Sequence, residues 1–136
     1  MTVLGIDYGE KRIGISISDP NGIISLPQEP IFSEGIKNDS LTISKIVEDK
    51  NIELIVIGLP LTLDGHHGFQ AKIISNFEGE LKKQTSKTII KFDERLTTKQ
   101  AKNELKESKK ARSKIDSIAA SIMLQTFLDS RRKGEE

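Results

Sequence analysis

Four acidic residues stand where the chain should turn a corner: Asp7, Asp93, Glu94 and Asp116. Asp7 closes a short apolar run from Thr2 to Ile6, and Tyr8-Gly9-Glu10 and the cations Lys11 and Arg12 follow it. Gly9 accepts a positive φ at no steric cost, so this stretch reads as a tight turn. Asp93 and Glu94 close a second apolar run, Thr88 to Phe92, and Asp116 falls in the first turn of the last amphipathic segment. Carboxylates gathered in one place repel one another and persist mainly around a bound cation. With oxygen donors alone and no cysteine in the chain, the favoured ion is hard, Mg²⁺ or Mn²⁺. Two such ions, about 3.5–4 Å apart, can clamp a phosphodiester, one activating a water and the other holding the leaving oxygen. Each acid also has a plainer reading. Asp7 can simply start a turn, Ser113-Lys-Ile-Asp116 fits a capping box, and Asp93 and Glu94 can be solvated strand-end charges. The joint pattern is more telling than any one member.

That pattern depends on the elements that carry the acids. Thr2–Ile6 and Ile13–Ile17 read as two strands of a hairpin, the second with a clean period of two. Asp19-Pro-Asn-Gly22 is a run of turn formers, and Ile23–Leu26 is expected as a third, antiparallel strand. Pro27 and Pro30 suit an edge position there. Residues 33–39 are expected as a loop, and 39–49 as a helix with Ile43, Ile46 and Val47 on one face. Ile52–Ile57 is apolar on both faces, the mark of a strand covered by helices on each side. A glycine-rich loop, Asp64-Gly-His-His-Gly68, leads to a helix in which Phe69, Ile73, Phe77 and Leu81 recur every four residues. Thr88–Phe92 is the fifth strand. Thr97 with Gln100 looks like a capping box opening a polar helix over about 98–108, and the last helix is expected over 115–131. The result is a single α/β domain over 1–136: a mixed five-stranded sheet, three antiparallel hairpin strands then two parallel ones, with helices on both faces. Residues 132–136 are expected to fray. If strands one and five run parallel, their carboxyl tips share an edge. Ala119 and Ala120, on the face of Asp116, would let the last helix approach that edge closely.

Composition narrows the partners. A chain of 136 residues with 35% hydrophobic and 30% charged residues fits one soluble domain with a real core. The net charge of +1 makes no global case for nucleic acid, so any electrostatic case is local. The absence of cysteine suits a reducing cytoplasm. No signal peptide pattern opens the chain, and the longest apolar run, Leu54–Leu59, is too short to cross a bilayer. No membrane partner is expected.

The motifs Gly5-Ile-Asp7-Tyr-Gly-Glu-Lys11-Arg12-Ile-Gly14, Gly58-Leu-Pro60 with Asp64-Gly65, Asp93-Glu94-Arg95-Leu-Thr97-Thr98 and Ile115-Asp116-Ser-Ile-Ala119-Ala120 resemble, in order and over the whole chain, the YqgF (RuvX) family. That resemblance implies an RNase H-like fold, similar to Holliday junction resolvases of the RuvC type. It also implies a metal-dependent nuclease with Asp7, Glu94 and Asp116 as its acids and metal ligands, acting in the maturation of pre-16S rRNA. The chain departs from the family after Asp64-Gly65. Members often carry Ser or Thr with Glu, then Pro-Arg, where this chain has His66-His67-Gly68-Phe69-Gln70. No arginine contact from that loop carries over.

Between Lys99 and Lys114 seven cations face only Glu104 and Glu107, a local excess of +5 that leads into Asp116. As a solvated helix face it would mean little. Beside a phosphodiester site Lys110, Arg112 and Lys114 read as backbone contacts to nucleic acid, without sequence readout. Lys11, Arg12 and Arg95 flank the acids, either holding substrate phosphates or neutralising the carboxylates. Aromatic content of 4% offers no evident stacking platform. Structured RNA, pre-rRNA in particular, is the expected partner, with branched DNA as the alternative, and the protein is expected as a monomer or weak homodimer. Two other classes compete. Sugar kinases and actin-like ATPases open with a similar hairpin but need two domains and over twice this length. A non-catalytic RNA- or partner-binding module would keep the fold but leave the three acids without a purpose.

Overall fold

The computed structural model describes residues 1–59, 69–93 and 115–134. Six strands and three helices lie within them: β1 (Val3–Tyr8), β2 (Arg12–Ser18), β3 (Ser25–Pro27), β4 (Ile31–Phe32), α1 (Ile36–Asp49), β5 (Leu54–Leu59), α2 (Phe69–Gln84), β6 (Thr88–Asp93) and α3 (Ile115–Gly134). The sheet runs β3-β2-β1-β5-β6, with β4 also on β2. β1 pairs antiparallel with β2 and parallel with β5, and β5 pairs parallel with β6. The mixed sheet expected from the sequence is present. The helix expected over 98–108 lies outside the described residues.

Four details differ from expectation, the first three for a local reason. The third strand starts at Ser25 rather than Ile23, because the Asp19 carboxylate takes the Ile23 and Ile24 N–H groups at 2.7 and 2.8 Å and holds them in the turn. A sixth strand appears because the chain breaks at Pro27–Pro30 and Ile31-Phe32 then returns to the other end of β2, pairing with Ile13 and Arg12. α1 starts three residues early, at Ile36. Gly35, at φ 99, turns the chain into it, and Asp39 is buried as a ligand for the preceding loop. The last helix runs on to Gly134, past the expected end near 131.

Two cores sandwich the sheet. On one face Leu4, Ile6 and Tyr8 of β1, Ile13 and Ile15 of β2, and Ile55 and Ile57 of β5 pack against Ile43 and Val47 of α1 and Ile74, Phe77 and Leu81 of α2. On the other, Val3, Leu54 and Val56 pack against Met123, Leu124, Phe127 and Leu128 of α3. Odd and even positions of β1 and β5 serve opposite layers, which is why Ile52–Leu59 shows no polar alternation.

The α1/α2 layer holds one polar cluster. The Tyr8 hydroxyl donates to Asp39 Oδ2 at 2.7 Å, Ser33 Oγ donates to the same oxygen at 2.6 Å, and the Glu34 N–H donates to Oδ1 at 2.8 Å. Tyr8 also stacks on Phe77, with ring centroids 4.4 Å apart. Burial, and then the hydrogen bond to Asp39, pushes the Tyr8 phenol from 10.0 up to about 12. A raised folded-state value favours the protonated form. The contribution is therefore fully present below pH 10 and lost as pH rises through about 12.

Two stability predictions follow from this packing. A Cβ on Gly5 would meet Ser16 Oγ at 2.7 Å and Leu124 Cβ at 2.9 Å, so Gly5→Ala should force α3 off the sheet and destabilise by about 1–3 kcal/mol in urea unfolding. Tyr8→Phe should cost about 1 kcal/mol at pH 7, since Asp39 keeps Ser33 and Glu34. Between pH 10 and 12 wild type should lose on the order of 1–2 kcal/mol that Tyr8→Phe does not lose. Parallel unfolding curves for the two proteins across that range would refute the assignment.

Candidate active site

β1, β5 and β6 are parallel, so Tyr8, Leu59 and Asp93 mark one carboxyl edge of the sheet. Asp7 lies there on the α3 face, because it alternates with Ile6 and Tyr8 and shares the parity of Val3 and Gly5. On one side it is registered with Gly14. On the other, Ile6 pairs with Ile57, and the next step of that register sets Asp7 beside Gly58. Gly58 pairs in turn with Phe92, whose ring meets Phe127 edge-on at 5.4 Å. A half-buried carboxylate thus has a position without a side chain on each flank, Gly14 on β2 and Gly58 on β5.

α3 is fastened over the β1–β2 pair by small polar residues. Ser117 Oγ accepts a hydrogen bond from the Ile15 N–H at 3.1 Å, and Ser16 Oγ donates to the Ala120 carbonyl at 3.2 Å. The Ile15 carbonyl accepts from Gln28 N at 2.8 Å, so this residue's polar groups face the outer edge of β2. There β3 has ended and β4 has not begun, and the serine fills the gap. Ala120 is fully buried, in keeping with the close approach expected from Ala119 and Ala120. The first turn of α3 therefore sits over the β1–β2 pair at the level of Asp7. Asp116 is the residue before Ser117 in that turn.

β6 ends at Asp93, and its alternation decides which layer that acid joins. Ile90 and Phe92 face α3, whereas Ile89 faces the other layer and Lys91 reaches Glu78 of α2 at 3.5 Å. Asp93 shares the parity of Lys91, so it does not join Asp7. Glu94, Arg95, Lys110, Arg112 and Lys114 lie outside the described residues, as do His66 and His67. Among the described residues no three acidic or imidazole side chains form a group able to hold a metal. Of the three acids expected to act together, Asp7 is the one whose side chain is described.

Two residues at the hairpin tip resolve differently from the sequence reading. Tyr8, open between packing and substrate contact, packs into the α1/α2 layer. Arg12 and Lys11 are both exposed, and the Arg12 guanidinium lies 5.7 Å from the centroid of the Phe32 ring. Phe32 is the neighbour that sequence reasoning missed. Low aromatic content and the prolines at 27 and 30 hid a strand residue in what looked like irregular chain.

The family model described as "RuvX: Holliday junction resolvase" matches residues 1–130. A protein of Protochlamydia amoebophila (strain UWE25) described as "Putative pre-16S rRNA nuclease" is 42% identical over 140 residues, covering 95% of this chain and 93% of its own length. One of Syntrophus aciditrophicus (strain SB), with the same description, is 38% identical over 134 residues, covering 96% and 89%. Among solved structures, T. thermophilus RuvC in complex with a Holliday junction substrate matches with a TM-score of 0.69 at 15% identity, over 98% of this chain and 96% of that one. The Fowlpox virus resolvase in complex with Holliday junction DNA matches at 0.59 and 17%, over 96% and 99%. At such identities the solved structures establish a shared fold, the RNase H-like one, and no more.

Proposed function

The chain belongs to the RuvX family of Holliday junction resolvases, and from that premise we propose that it is a cytoplasmic, divalent-metal-dependent nuclease that trims the 5′ end of pre-16S rRNA. Hydrolysis of phosphodiester bonds is the chemistry of the family. The RNA substrate rests on the description its relatives carry. The observation that supports an active site here is Asp7 at the tip of β1, flanked by Gly14 and Gly58 and beneath the first turn of α3.

The donor set suits a hard ion. Asp7 offers carboxylate oxygens, and neither Gly14 nor Gly58 beside it brings a side chain of its own to compete for a ligand. Asp7, Glu94 and Asp116 are the residues that would hold one or two such ions, Mg²⁺ or Mn²⁺. When bound, these ions supply Lewis acidity and neutralise charge that develops on the phosphodiester. The chain's own contribution is placement. β1, hydrogen-bonded on both sides, holds Asp7 rigidly, and the Ser117 and Ser16 bonds hold the start of α3 against it. Lys11 and Arg12, exposed at the hairpin tip, are set to meet backbone phosphates. Arg95, Lys110, Arg112 and Lys114 would extend that path, which makes binding strongly salt-dependent. Branched DNA is the second reading, favoured by the likeness in fold to junction resolvases. Cleavage of both junction strands would call for a symmetric dimer.

Asp7→Asn keeps the volume and removes the charge. It should lower Mn²⁺-dependent cleavage of a pre-16S 5′ leader by at least about 100-fold. A four-way DNA junction and an unrelated single-stranded RNA, offered in the same assay, rank the substrates. Equal activity of both forms would remove Asp7 from the reaction, and preference for the junction would overturn the RNA assignment.

A further inference from the structure

Phe32 is 68% exposed, the most open of the large apolar residues among those described. β4 has only two residues, and the strand is already anchored by Ile31, which packs into the α1/α2 core. Phe32 adds nothing to that core. Its position is set instead by register. It pairs with Arg12, so both project from the same face of the sheet, and Arg12 shares the parity of Gly14, the partner of Asp7. Ring, guanidinium and carboxylate therefore open onto one face at one edge. Counting two residues along β2 and two strand spacings across, Phe32 lies about 12 Å from Asp7 at the backbone. Arg12 is 5.7 Å from the ring centroid, and the exposure of Phe32 leaves the rest of the ring to solvent.

We infer that Phe32 and Arg12 form a stacking site for one unpaired base of the nucleic-acid substrate, next to the phosphodiester held at Asp7. This rests on the nuclease reading and specifies the substrate: a strand with at least one unstacked nucleotide beside the cut. An aromatic face accepts any base, because every base has a π surface. The guanidinium polarises the ring and can reach the adjoining phosphate. The site selects for unpaired structure rather than for sequence. A continuous duplex offers the ring no base face.

The protein contains no tryptophan, so Phe32→Trp makes a single fluorescent reporter at the site. In EDTA, a 12-nucleotide single-stranded RNA should quench that fluorescence saturably, and the same strand in a blunt duplex should not. Ile24→Trp, on an exposed residue at the far end of β2, should respond to neither. Phe32→Ala should weaken single-strand binding about tenfold and leave duplex binding within about twofold. Phe32→Tyr should restore it. Equal affinity of Phe32→Ala and wild type for the single strand, with no quenching in Phe32→Trp, would overturn the inference. These readings need no cleavage. Quenching in a protein that never cuts would sink the nuclease reading and keep the stacking site. Normal cutting with no quenching would do the reverse.

Discussion

The fold depends on how closely α3 can lie on the β1–β2 pair. Two side chains are reduced to make that contact: Gly5, where even a methyl group would collide with Ser16 and Leu124, and Ala120, whose carbonyl is near enough to accept the Ser16 hydroxyl. Hydroxyls replace bulk at the same interface, with Ser16, Ser25, Ser117 and Ser121 bonded across it. A helix held by backbone and hydroxyl contacts has less freedom to slide than one held by interchangeable aliphatic chains. That restriction is what a site shared between a strand tip and a helix start requires.

The two faces of the sheet divide the work. The α1/α2 layer carries most of the aliphatic volume and the buried Tyr8–Asp39 cluster, in which every described polar atom has a partner. The α3 layer is thinner, and towards the carboxyl edge it gives way from Val56 to glycine. Apolar packing thus recedes where a polar ligand would enter. The hairpin tip extends the same surface outward through Arg12 and Phe32, so the candidate ligand path follows the edge at which β1, β5 and β6 all end.

Much of this could be read from the residues in order. The double-sided apolar run at Ile52–Ile57 announced a central strand, and period-four spacing from Phe69 to Leu81 announced α2. Asp7 as a strand-end carboxylate was visible because a tight turn follows it. That Asp93 turns away from Asp7 was not visible, since it depends on which face Phe92 takes, and that depends on packing against Phe127. Asp39 looked like an ordinary acid at a helix start. Its burial depends on a partner 31 residues away, Tyr8, and no local pattern encodes that. Phe32 was missed because β-pairing of two residues is too short to leave a period. The alliance of Ser117 with Ile15 spans 102 positions and fills an interruption in the ladder that the prolines create, a coincidence only the assembled sheet displays.

Asp7 and Tyr8 are consecutive residues on one strand, yet they belong to opposite layers. Moving β1 by a single position would send the phenol towards α3 and drive a charged group into the aliphatic layer, which has nothing to solvate it. A mispaired conformer therefore forfeits burial and the placement of Asp7 in the same step. Correct assembly and the aim of the candidate site are bound to one another, and a molecule that has packed well has also aimed its carboxylate.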